Sequence, residues 1–73
     1  MKIVRKLAGD CKGGDCPTVY ATDRGTLVIQ GYILAPAAVR QLTLPGGESA
    51  VEVPAELLLE AARRMGTEGE TRP

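Results

Sequence analysis

Residues 16–34, Cys16-Pro-Thr-Val-Tyr-Ala-Thr-Asp-Arg-Gly-Thr-Leu-Val-Ile-Gln-Gly-Tyr-Ile-Leu34, read as two β-strands joined by a tight turn. Val19 and Ala21 alternate with Tyr20 and Thr22 before the turn. After it, Leu27, Ile29, Gly31 and Ile33 alternate with Val28, Gln30, Tyr32 and Leu34. This is period-two patterning in side chains that fit a pleated surface. Asp23 suits the first turn position, and Gly25 supplies the positive φ that a tight turn or an adjacent bulge needs. Both faces of the hairpin carry apolar groups. Gly31, inside the second run, marks a bulge or a point where another group approaches the backbone closely.

Outward from the hairpin, residues 2–7 alternate Lys2, Val4 and Lys6 with Ile3, Arg5 and Leu7, the pattern of an edge strand whose cations discourage further pairing. Gly9 to Pro17 is loop chemistry throughout. Pro36 fits the first position of a short helical turn over Ala35–Gln41. Pro45-Gly-Gly-Glu48 is a second turn and residues 49–53 a further strand, stopped by Pro54. A helix then runs from about Pro54 to Met65, with Leu58, Ala61, Ala62 and Met65 on one stripe, Glu60 four residues before Arg64, and Gly66 as a C-cap. The expected fold is therefore α+β: a small antiparallel β-sheet of three to five strands with a C-terminal α-helix. Residues 1–66 form one small domain and 67–73 a polar, disordered tail.

With 73 residues the chain buries roughly 60% of the surface its unfolded state exposes, so its core is thin. Cores of this size supply about 3 to 5 kcal/mol, and an oligomer is a common supplement. A homodimer is the first expectation. Nine basic residues balance nine acidic ones, and histidine is absent; a dedicated nucleic-acid surface would carry a strong basic excess. No apolar run reaches the ~18 to 20 residues of a membrane span, and Met-Lys-Ile-Val-Arg-Lys is too charged to open a secretory signal. The expected location is cytoplasmic. A structural disulfide is not the default there.

Cys11 and Cys16 form the one constellation that could carry chemistry. A zinc site would need further ligands from Asp10, Asp15 or a second subunit, and the Cys-x-x-Cys spacing of thiol oxidoreductases is missing. The simpler reading is two small side chains that pack or anchor a loop. No nucleophile elbow, phosphate loop or paired carboxylates are recognisable, so no catalytic residues, cofactor or resident metal are assigned and an enzyme is not expected. If the helix packs on Leu27, Ile29 and Ile33, then Tyr20, Val28, Tyr32 and Leu34 are left as an apolar patch on the other face, with Arg24 at the hairpin tip. Aromatic and arginine side chains are enriched at interface hot spots. These five residues are the candidate partner-binding set.

Two resemblances bear on function. Val51-Glu-Val-Pro-Ala-Glu-Leu-Leu58 resembles the strand, proline and helix step of swapped-hairpin transition-state regulators and antitoxins, which implies a DNA-binding dimer. The longer stretch Cys16 to Tyr32, followed by Leu44-Pro-Gly-Gly-Glu-Ser-Ala-Val-Glu-Val-Pro54, resembles small uncharacterised actinobacterial proteins encoded beside helix-turn-helix regulators. That resemblance spans nearly the whole chain apart from the tail. It implies a protein–protein interaction module that is an accessory to a transcriptional regulator, with a helix-turn-helix protein as partner and no catalytic residues to carry over. The direct DNA-binding dimer and a thiol or zinc protein using Cys11 and Cys16 are the alternatives.

Overall fold

The computed structural model describes residues 1–9 and 16–70, the last five as backbone only. Strand β1 (Ile3–Ala8) lies at one edge of a three-stranded antiparallel sheet, β2 (Thr18–Thr22) in the middle and β3 (Leu27–Gln30) at the other edge. A separate two-stranded antiparallel sheet joins β4 (Tyr32–Ile33) to β5 (Val51–Glu52). Between them lies α1 (Pro36–Val39), one turn with Pro36 at its start. The last described element is α2 (Ala55–Glu70), which packs on β1 and β2. The α+β class and the C-terminal helix are as the sequence implies.

The β2–β3 hairpin forms where the alternation places it, and its turn explains why. Asp23, Arg24 and Gly25 make a three-residue loop, with Gly25 at φ +74° in the left-handed region that this loop type requires at its third position. Thr22 ties the loop down. Its N–H donates to the Thr26 carbonyl at 3.0 Å, its hydroxyl shares a proton with that of Thr26 at 2.7 Å, and the same oxygen accepts the Arg24 N–H at 3.1 Å. Asp23 then anchors the start of the chain, accepting the Lys2 N–H on Oδ1 and donating its own N–H to the Lys2 carbonyl, both at 3.0 Å.

Strand β1 is the expected edge strand, but it does not alternate simply. Its register against β2 slips between Ile3 and Arg5 and again between Lys6 and Ala8. Each slip sets two β1 residues against one on β2, which is a β-bulge. The second lets consecutive residues, Leu7 and Ala8, both reach the interior. They meet Val19 from β2 and Ala61 from α2, and these four make up the buried hydrophobic cluster among the described residues; Ala21 and Leu57 pack at the margin.

Two expectations are corrected. The hairpin does not run on to Leu34: Gly31 interrupts it, because β5 crosses close by. A Cβ on Gly31 would stand 2.7 Å from both the Glu52 carbonyl and Val53 Cγ1. Consequently β5 pairs with β4 alone, Tyr32 opposite Glu52 and Ile33 opposite Val51, and does not join the hairpin's sheet. The other correction concerns α2, which continues through Gly66 to Glu70. The buried centre of its stripe is Leu57 and Ala61, while Leu58 and Met65 stay largely exposed on the flank. The Glu60–Arg64 pair forms as expected, at 3.1 Å.

Candidate association surface

An α-helix is about 10 Å wide and neighbouring strands lie about 4.8 Å apart, so one helix covers two strands. Here those two are β1 and β2. On β2, Val19 and Ala21 face α2; their cross-strand partners on β3, Ile29 and Leu27, therefore face the same side. Neither is covered: Leu27 is 39% exposed and Ile29 38%. At 100° per residue, Leu58 and Met65 share the flank of α2 that looks toward β3. A hollow of about 260 Å³ opens there, lined by Leu7, Ala21, Leu27 and Met65 with the turn residues Thr22, Gly25 and Thr26. The opposite flank is polar, with Glu60 and Arg64 beside Lys6 and Gly9 of the β1 side.

The β3 side of α2 is thus uncovered apolar ground, which reverses the arrangement expected for the hairpin. Tyr20 and Val28, expected to be bare, are directly paired across β2 and β3 and half-buried on the face away from α2, with Lys6 next in the row. The Tyr20 hydroxyl reaches Gln30 Oε1 only at 3.5 Å, a weak contact. Arg24 is exposed at the hairpin tip, as expected. Tyr32 and Leu34 do not join Tyr20 and Val28. Tyr32 belongs to the second sheet, 54% exposed, and lines a separate cleft of about 340 Å³ with Cys16, Pro17, Pro54 and Leu57. Leu34 follows β4 and is half-buried. Ile33, expected beneath the helix, is 92% exposed. The five residues therefore fall on three separate places. Leu27, Ile29, Leu58 and Met65, which sequence reading assigned to the core, are each left exposed, with Leu27 and Met65 lining one hollow; the width of one helix against three strands is the signal that could have found this.

Cys16 is disulfide-bonded, although a disulfide is not the default expectation. The sulfur of a disulfide is not the thiolate that zinc binding or redox attack requires. Cys11, Asp10 and Asp15 lie outside the described residues. Among the described residues no three His, Cys, Asp or Glu side chains gather as a ligand set, and no helix is long and apolar enough to cross a membrane.

The two sheet edges differ. β1 carries Lys2 beside it, Arg5 and Lys6 within it and two bulges, all of which discourage strand addition. β3 carries Leu27, Val28, Ile29 and Gln30: no charge, no proline and a regular register. Comparison with protein families, with curated proteins and with solved structures finds no match.

Proposed function

We propose that this chain is a non-enzymatic protein–protein interaction module, an accessory to a transcriptional regulator, that associates through the apolar ground between β3 and α2. The observation that carries this reading is the imbalance between core and surface. Among the described residues four hydrophobic side chains are fully buried, while Leu27 and Ile29 on β3 and Leu58 and Met65 on one flank of α2 are 38–43% exposed. Contiguous exposed apolar patches mark association sites. The regulatory half of the proposal rests on the resemblance to small actinobacterial proteins encoded beside helix-turn-helix regulators.

Calorimetric titration with a purified candidate helix-turn-helix regulator tests the proposal. Saturable binding that Leu58→Asp weakens at least ~10-fold, with no loss of melting temperature, is the expected result; one lost apolar anchor of about 1.4 kcal/mol corresponds to that factor. Absence of binding, or binding indifferent to Leu58, would overturn it. A salt-sensitive gel shift on DNA, weakened by removing Arg5 and Lys6, would favour the DNA-binding alternative instead.

A further inference from the structure

We infer that the occupant of the β3 edge is a second copy of this chain, joined antiparallel through β3 with Val28 on the two-fold axis. The inference rests on the reading above only in taking this ground as an association surface; it names a second copy, in place of the regulator, as what covers it, and adds the register. In an antiparallel ladder the backbone groups of alternate residues point to opposite sides. The Thr22 N–H donates to the Thr26 carbonyl, and the same register pairs Tyr20 with Val28 and Thr18 with Gln30. Thr26, Val28 and Gln30 thus turn their N–H and C=O toward β2. Leu27 and Ile29 turn theirs outward, where no further strand lies among the described residues. This is an open edge with two donors and two acceptors.

Symmetry fixes what can fill it. Two identical edges that pair antiparallel are related by a two-fold axis perpendicular to the sheet, so both α2 helices fall on one face and each α2-facing residue must oppose another. With Val28 on the axis, Leu27 opposes Ile29 of the second copy and the reverse, and the outward groups of both form four N–H···O=C bonds. The side chains agree with the backbone: Leu27 and Ile29 of both copies meet beneath the Leu58–Met65 flanks, and Val28 meets Val28 on the far face beside Tyr20. A register centred on Ile29 would set Leu27 against Gly31, where β5 already crowds the chain. One centred on Leu27 would set Ile29 against Gly25 in the turn. The absence of charge on β3 removes the like-charge repulsion that a symmetric pairing of lysines or glutamates would meet. The β1 edge, with its cations and bulges, is closed to the same pairing.

Three variants test this on the whole chain. Val28→Cys, oxidised mildly without reductant, should give a disulfide-linked dimer at least ~10-fold faster than Gln30→Cys, because residue 30 of one copy would lie about 14 Å along the strand from residue 30 of the other. Equal cross-linking of both, or of neither, overturns the register. Ile29→Lys places a charge on the edge without removing a β2 hydrogen bond. Light scattering should then report twice the 7.7 kDa chain mass for the unmodified protein at ~100 μM and one chain mass for the variant. If Ile29→Lys fails to fold, the cross-linking result alone decides. A monomeric unmodified protein that still binds the regulator overturns this inference and leaves the association reading standing; a dimer that binds no regulator does the reverse.

Discussion

Replacing Leu7 by Ala should remove most of the stability of this domain. Leu7 is 1% exposed and, with Val19, is one of the two largest side chains that are fully buried. It sits where the β1 bulge, the central strand and α2 meet, so the surrounding backbone is held from three sides and collapses poorly around a void. Leu-to-Ala changes at such sites cost about 2 to 5 kcal/mol, against the ~3 to 5 kcal/mol a core of this size supplies. We therefore expect a loss of about 3 kcal/mol. With a urea slope near ~1 kcal/mol/M for a small domain, the midpoint should fall by roughly 3 M, or the variant should be unfolded without denaturant. Urea titration followed by far-UV circular dichroism, at one fixed protein concentration because association contributes to apparent stability, measures it. Leu59→Ala is the internal control, since Leu59 is 67% exposed and its truncation should cost less than about 0.5 kcal/mol. Equal midpoint shifts for the two variants, or a Leu7→Ala shift below about 1 M, would refute the assignment of the core to the β1–β2–α2 junction.

Three further outcomes follow from local geometry. Gly9→Ala should cost more than about 2 kcal/mol in a thermal melt, because Gly9 stands at φ +108° and a Cβ there would lie 2.6 Å from the Pro17 carbonyl and 2.7 Å from Thr18 Cα; Gly25→Ala, with nothing within 4 Å, should cost only the backbone strain of about 1 kcal/mol. Thr22→Val keeps the branched shape and buries no hydroxyl, but strands the Arg24 N–H and the Thr26 hydroxyl that now bond to it, so a loss of about 1 to 2 kcal/mol by denaturant titration is expected. Added reductant should lower the melting midpoint, since the Cys16 disulfide anchors the chain just before buried Pro17 and Thr18, whose hydroxyl donates to the Cys16 carbonyl at 3.0 Å; native disulfides of small domains contribute about 2 kcal/mol or more.

The hairpin was readable because its signals are local. Alternation in Val19–Thr22 and Leu27–Gln30 and the left-handed residue at Gly25 need no tertiary information. The same holds for Pro36 at the start of α1 and the Glu60–Arg64 spacing. The edge position of β1 was readable from its cations, but its two bulges were not: Val4 and Leu7 look like ordinary members of an alternating strand until the register against β2 is seen. What defeated sequence reading was nonlocal. Gly31 admits either a bulge or a close approach, and which one holds depends on β5, some twenty residues later in the chain. The candidate surface was misplaced for a related reason. Periodicity puts Leu27 and Ile29 on the α2 side but does not say that α2 stops at β2, so residues assigned to the core are the uncovered ones, and Tyr20 and Val28 are the half-buried ones.

Hydrogen exchange at three neighbouring amides tests the central claim, association along β3, most directly. The Val28 N–H points to β2 and is protected by the hairpin alone, whereas the Leu27 and Ile29 N–H groups point to the open edge and are protected only when something pairs there. Residue-resolved exchange from micromolar to millimolar chain concentration separates the two. Leu27 and Ile29 should exchange freely when dilute and slow toward the Val28 rate as concentration rises. Free exchange of both amides under every condition, with Val28 protected throughout, would contradict it.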